Sequence, residues 1–180
     1  KSSDMSGDII IKKLETADLD QVSRFRMKDV GDRPLQTFLR REAFKSNAAH
    51  LTTTYVIKRP EERHVLAYAS IMCAEIKLEG AYPIDDKKAA ERYSYQPAVR
   101  IARLAVSEGC EGQGWGRELV TTVIGVISLS IQPYAGCRFL IVDAKRKSIA
   151  FYRKLGFRLL DTAENKALET PLMFMDLKSP

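Results

Sequence analysis

The segment Glu111-Gly-Gln-Gly-Trp-Gly116 follows an apolar strand candidate, Ile101-Ala-Arg-Leu-Ala-Val106, and precedes a helix candidate. Alternating glycines let a backbone approach a ligand closely and turn its N–H groups toward it. A helix start adds the positive end of its dipole, so the turn reads as a cradle for phosphate or pyrophosphate. Two common nucleotide loops fail on it. A Walker loop requires GxxxxGK[ST], but Gly116 is followed by Arg117-Glu118. A dinucleotide fingerprint requires GxGxxG after the first strand and an acid about 20 residues on, whereas the spacing here is GxGxG, deep in the chain.

The charge points the same way. A net +6 suits an anionic ligand without choosing among nucleotide, nucleic acid and membrane. Arg138, Lys145, Arg146, Lys147, Arg153, Lys154 and Arg158 face one acid, Asp143, in the same stretch, and a second basic cluster runs from Arg24 to Lys45. Taken singly, such charges are solvated helix faces. Metal chemistry finds no support. Cys73, Cys110 and Cys137 are far apart, as are His50 and His64, so no zinc or disulfide framework is expected and the thiols read as structural, most at home in a core.

These residues need elements to hold them. With 180 residues, one domain is expected over 5–180, with 1–4 read as a cloning remnant ahead of Met5. No signal-peptide layout and no apolar run of roughly 18–20 residues is found, so a cytoplasmic protein without membrane association is expected. Ile9–Leu14 reads as a strand and Thr16-Ala-Asp18 as the start of a helix continuing past Phe25. Pro34 begins a second helix striped by Leu35, Phe38, Leu39, Ala43 and Phe44. Thr52–Ile57 and Val65–Ile76 read as a strand hairpin. The polar segment Leu78–Gln96, with Asp85-Asp-Lys-Lys88 and Tyr82, Tyr93 and Tyr95, is the one long connection. Val99–Val106 is a strand, Arg117 to about Ser130 a helix, and Phe139–Val142 a strand buried on both faces. Ser148–Leu155 is a helix stopped by Gly156. Phe157–Leu160 and Leu172–Leu177 close the sheet as antiparallel strands, joined by a Glu164–Thr170 loop. The order predicts a single α/β domain with a mixed central sheet.

The glycine turn resembles motif A of the GNAT family of acyl-CoA-dependent N-acetyltransferases, [Q/R]-x-x-G-x-[G/A], on Glu111 to Gly116. Ser148-Ile-Ala-Phe-Tyr-Arg-Lys-Leu-Gly-Phe157 is similar to the family's motif B, and one helix and one buried strand separate the two, as in the family. The resemblance implies splayed central strands, Val99–Val106 and Phe139–Val142, that admit the pantetheine arm of acetyl-CoA. It implies that the backbone of Leu104, Ala105 and Val106 pairs with that arm. The amides of Gly112, Gln113, Gly114, Trp115, Gly116 and Arg117 would then hold the pyrophosphate. Tyr152 matches the tyrosine that protonates the leaving CoA thiolate; read without the motif, it is a core tyrosine packed on Phe151 and Phe157. Two departures stand out. Glu111 replaces the usual Gln or Arg and places an acid near the pyrophosphate, while Lys145 and Ser148 replace Asn and Ala, with Lys145 available to a CoA phosphate.

For the acetyl acceptor, the N-terminal half resembles the toxins of type II toxin–antitoxin pairs that acetylate aminoacyl-tRNA. The similarity lies in Phe25–Gly31, Leu35-Gln-Thr-Phe-Leu-Arg-Arg-Glu-Ala43, Thr54-Tyr-Val56, Pro97–Val106 and Pro171–Leu177, although Lys28-Asp-Val-Gly31 lacks the subgroup's cysteine. That resemblance implies tRNA, an antitoxin protein and a second copy of the chain as partners, with the basic clusters on the phosphate backbone. A small-molecule or protein amine is the alternative acceptor, and a non-catalytic acyl-CoA-binding module is a third reading. Glu75 is a candidate general base, or else an exposed strand carboxylate, and Arg103 with the tyrosines of Leu78–Gln96 is a candidate acceptor-side lining.

Overall fold

Runs of β-branched and aromatic residues become strands, and the computed structural model, which describes residues 8–84, 88 and 92–178, joins them in one mixed sheet. The strands are β1 (Ile10–Lys13), β2 (Thr53–Lys58), β3 (Ala67–Ile76), β4 (Gln96–Val106), β5 (Phe139–Asp143), β6 (Arg158–Leu159) and β7 (Leu172–Asp176). Their order is β1-β2-β3-β4-β5-β7-β6. The α-helices are α1 (Leu19–Ser23), α2 (Arg33–Thr37), α3 (Ala43–Ala48), α4 (Trp115–Val126), α5 (Ile149–Lys154) and α6 (Ala163–Ala167). Residues 1–4 and Asp85–Lys87 of the charged run in the long connection lie outside the described residues. The chain divides into two compact units, Lys1–Ile71 with Arg103–Thr122 and Met72–Ala102 with Val123–Pro180.

In the first unit β1, β2 and β3 are antiparallel, in registers Ile10↔Lys58 and Thr53↔Ile71. The buried hydroxyls of the paired Thr54 and Ser70 meet at 2.6 Å, so neither is left without a partner in the dry sheet face. A capping box sets the chain's entry into its first helical turn, the Asp18 carboxylate accepting from Glu15 N–H at 3.0 Å. Asp18 has no exposed surface, and Lys58 at 2.6 Å and Lys12 at 3.3 Å neutralise it. Burial pushes its carboxyl up, but the bonds from Lys58, Glu15 N–H and Lys12 outweigh that and hold it below the ordinary value. The expected long first helix ends early: α1 stops at Ser23, and Phe25 instead drops into the core against Tyr68, ring centroids 5.4 Å apart. The second expected helix forms but passes through a π turn, Phe38–Glu42, between α2 and α3.

In the second unit β4 and β5 run parallel, in register from Ala98↔Phe139 to Ile101↔Val142. Phe139–Val142 is buried throughout, as its unbroken apolar run predicts. β5 ends at Asp143, whereas β4 runs on to Val106, so the last residues of β4 extend beyond the parallel pairing. β7 lies antiparallel to β5 and β6. The expected Glu164–Thr170 loop holds α6, capped by the Thr162 hydroxyl, which accepts from Asn165 N–H. The buried Asn165 amide bonds Leu160 O, Leu172 O and Leu172 N–H at 2.8–3.0 Å and so sews the return together. Tyr82 is half-buried, sits edge-on to Phe139 and Phe174 and donates to Asp176 at 3.2 Å. Tyr93 and Tyr95 are exposed.

Candidate active site

The glycine turn is built by backbone conformation. Ser107 N–H donates to Leu66 O at 2.7 Å and Glu108 N–H to Arg26 O at 2.8 Å, which fixes the end of β4. Gly109, Gly112 and Gly114 then have φ of +81°, +74° and +90°, a region that residues with a Cβ adopt only under strain. A Cβ at any of the three would meet nothing within 4 Å, so the requirement for glycine there is conformational and not a matter of space. Gly114 O accepts from Glu118 N–H at 3.1 Å and opens α4 two residues before the expected start. The first N–H groups of α4, at Trp115, Gly116 and Arg117, have no intrahelical acceptor and carry the positive end of its dipole. The Trp115 ring is buried, with its Nε1–H on Gln113 Oε1 at 3.2 Å and the Arg59 guanidinium 5.6 Å from its centre. Its side chain anchors the turn, which leaves its amide as the group a ligand can use. Glu111 turns its carboxylate onto Gly109 N–H at 2.8 Å, and both residues are exposed. At the end of β4, Ala105 is buried and Leu104 and Val106 are half-buried.

The second unit carries the other predicted residues. Arg146–Ser148 forms a 3-10 turn whose Ser148 N–H donates to Lys145 O at 2.7 Å; Lys145 is exposed and Ser148 half-buried. Tyr152 comes next, on α5, and is 6% exposed, its ring edge-on to Phe151 and Phe157 at 5.0 and 5.3 Å. It therefore has the packing of a core tyrosine, and burial pushes its phenol well above the ordinary value, so the proton stays on at neutral pH. Gly156, at φ +96°, ends α5, and Phe157 N–H returns to Tyr152 O at 3.0 Å. The basic run is partly structural. Arg138 pairs with Asp176, Arg146 donates to Lys166 O and Leu168 O at 2.7 and 2.6 Å, and Arg158 lies over the Tyr82 ring. Glu75 is exposed on β3.

Sequence pattern alone does not disclose a cleft of about 450 Å³ in the first unit, lined by Arg33, Pro34, Leu35, Thr37, Phe38, Glu42 and Arg103. The Arg103 guanidinium lies 3.8 Å from the centre of the Phe38 ring, a cation–π contact, and Tyr68 donates to Leu35 O at 2.7 Å. Phe38 and Glu42 are the two ends of the π turn, which sets the lining they share. Among the described residues no cluster of three His, Cys, Asp or Glu could hold a metal ion, and no helix is long and apolar enough to cross a membrane. Cys110 and Cys137 are buried, whereas Cys73 is exposed, which corrects the core assignment for that thiol.

The model of the GNAT acetyltransferase domain matches residues 53–159, a stretch that holds both motifs. The chain belongs to the GNAT acetyltransferase family. It is thus an acetyl-CoA-dependent N-acetyltransferase. Among solved structures, this GNAT chain is similar to a tyrosine-to-phenylalanine mutant of KacT, with a TM-score of 0.79 and 25% identity over 94% of this chain and 95% of that one. It is also similar to AtaT complexed with acetyl-methionyl-tRNAfMet, with a TM-score of 0.77 and 26% identity over 95% of this chain and 96% of that one. A third similar structure is AtaTR bound with AcCoA, with a TM-score of 0.70 and 26% identity over 95% and 94% of the two chains.

Proposed function

We propose that this enzyme moves the acetyl group of acetyl-CoA to the amino group of an aminoacyl-tRNA in the cytoplasm, and that an antitoxin protein restrains it. The observation that carries this reading is similarity over more than nine tenths of both chains to AtaT solved with acetyl-methionyl-tRNAfMet. AtaT has also been solved with the C-terminus of the antitoxin AtaR and with acetyl-CoA. Residues 5–180 then act as one acetyltransferase domain.

The chain's own groups fit the co-substrate. The amides of Gly112–Arg117 offer donors to a pyrophosphate, and the end of β4, Leu104–Val106, offers backbone bonds to a pantetheine arm. Lys145, at a CoA phosphate, and Ser148 complete the residues assigned to the co-substrate. In transfer, the deprotonated amine attacks the thioester carbonyl carbon, the N–C bond forms and the C–S bond breaks. Tyr152 gives its phenolic proton to the departing sulfur, and the proton that the attacking nitrogen releases to solvent is balanced by the one the phenolate takes back before the next turnover. A phenol held protonated by burial is a suitable donor because a thiolate forming away from water is a strong acceptor.

The test is transfer of labelled acetyl from acetyl-CoA to bulk charged tRNA. Label on the aminoacyl end is expected, with a loss of about 10²–10⁴-fold in Tyr152→Phe, the usual range for a general acid. Label confined to small amines or to protein termini would replace the tRNA reading with that acceptor.

A further inference from the structure

The turn between β2 and β3 supplies none of the residues assigned to the co-substrate, yet it packs on the glycine turn. Pro60 sits at its second position, and Glu62 N–H closes it onto Arg59 O at 3.2 Å. Gln21 of α1 holds it from outside, donating to Glu62 O at 3.0 Å. From this fixed turn the Arg59 guanidinium reaches to 5.6 Å from the centre of the Trp115 ring, within cation–π range. Trp115 Nε1–H donates to Gln113 Oε1 at 3.2 Å, and Gln113 Nε2 donates in turn to Gly109 O at 3.3 Å. The next residue, Cys110, is buried with its Sγ 3.6 Å from His64 Nε2. Burial, and then the Glu62 and Glu111 carboxylates, push the thiol up, so it stays protonated and donates to the imidazole. His64 Nδ1 lies 3.7 Å from Glu62, and Glu62 lies 3.9 Å from Arg59. The contacts therefore close into a circuit that starts and ends at Arg59.

One atom of the circuit works against stability. Arg59 Nε is buried and has no hydrogen-bond partner among the described residues, an arrangement that costs free energy. The same circuit encloses glycines at positive φ, and glycine gives a free chain the most freedom to leave that shape. A site that binds through fixed amides loses affinity when binding must first order them. We propose that Arg59, Glu62 and His64 are positioning residues for acetyl-CoA: without touching it, they hold the amides of Gly112–Arg117 in the shape that receives the pyrophosphate. This rests on reading the glycine turn as the pyrophosphate cradle.

Trp115 is the chain's one tryptophan, so its fluorescence reports the circuit directly. The experiment records that emission in the free enzyme and measures acetyl-CoA affinity by calorimetry. Arg59→Gln should shift the emission and weaken acetyl-CoA binding roughly 3–30-fold, the range of a desolvated cation–π contact. Arg59→Lys keeps a cation for the indole and should recover most of both. His64→Leu should weaken binding about 2–5-fold. It should also shift the Trp115 emission, although its own contact is with Cys110, and it carries the test should Arg59→Gln not fold. A circuit opened at one point is already slack, so the double variant should lose less than the product of the two single losses. A full product would reduce the residues to independent structural contacts and overturn the proposal, as would an Arg59→Lys enzyme no better than Arg59→Gln. Wild-type emission and affinity in the single variants, with Gly114→Val weakened, would overturn the circuit and leave the cradle standing. Wild-type affinity in Gly114→Val would overturn the cradle reading and the positioning role with it.

Discussion

The turn after β4 is exposed and takes its shape from three glycines at positive φ, whereas the turn after β5, Ala144–Ser148, has ordinary backbone and carries Lys145, Arg146 and Lys147. The first can meet an anion with fixed N–H groups that need no rearrangement. The second offers charge on flexible stems, and Arg146 is already spent on Lys166 O and Leu168 O. Past the second turn, α5 carries a buried phenol held in place by two aromatic rings. In the proposed mechanism one region works through backbone shape and the other through a packed side chain, so the two should fail in separable ways.

The largest separation is kinetic. Tyr152→Phe should lower kcat by about 10²–10⁴-fold and leave acetyl-CoA affinity unchanged, because the ring packing against Phe151 and Phe157 is kept. Gly114→Val should do the reverse. A branched residue at φ +90° costs about 1–3 kcal/mol, so the free turn should relax and binding must restore the native shape, which weakens acetyl-CoA roughly 5–150-fold with kcat at saturation largely retained. Equal losses of kcat and affinity in both variants would erase the distinction.

Stability gives a second contrast. Lys58→Met leaves the fully buried Asp18 with Lys12 as its remaining cation, beside the Glu15 N–H bond, and should cost about 3 kcal/mol, the low end for a broken buried pair. The sign of its pH dependence is set by Asp18. A carboxyl held low in the folded state stabilises above its ordinary value of 3.8, and that contribution fades as pH falls through the lower folded value. The gap between wild type and Lys58→Met in denaturant titrations should therefore narrow below that pH. A gap that widens on acidification would show that Lys58 does not set the Asp18 charge. Arg138→Met, at Asp176 in the second unit, should cost less, because Asp176 is only half-buried and Tyr82 and Lys178 N–H still donate to its carboxylate.

Legibility divides along the same line. The glycine turn can be read because positive φ writes itself into the sequence as Gly, and β5 because burial on both faces leaves only apolar residues. Tyr152 is legible only through its motif, since its packing is that of a core tyrosine. The π turn at Phe38–Glu42 leaves no signal, because its apolar stripe is that of an ordinary helix, and so the cleft stays hidden. α6 is missed for a related reason: Ala163–Ala167 is too short for periodicity, and it is held by the buried amide of Asn165, which bonds the flanking strands' backbone. Charge counting overstates the basic run from Arg138 to Arg158, where Arg138, Arg146 and Arg158 have structural partners.

The smallest effect sharpens the backbone half of the comparison. Glu111 places a carboxylate on Gly109 N–H, inside the turn proposed to receive a pyrophosphate. If fixed amides dominate binding there, the acid weakens the site without abolishing it. Glu111→Gln keeps an oxygen for Gly109 N–H and removes only the charge, so the turn should be preserved. Acetyl-CoA should then bind about 2–5-fold more tightly, the scale of an exposed charge interaction, and the gain should shrink as salt is raised. Weaker binding in Glu111→Gln would mean that the carboxylate shapes the turn in a way the amide cannot, and that its charge is not the obstacle.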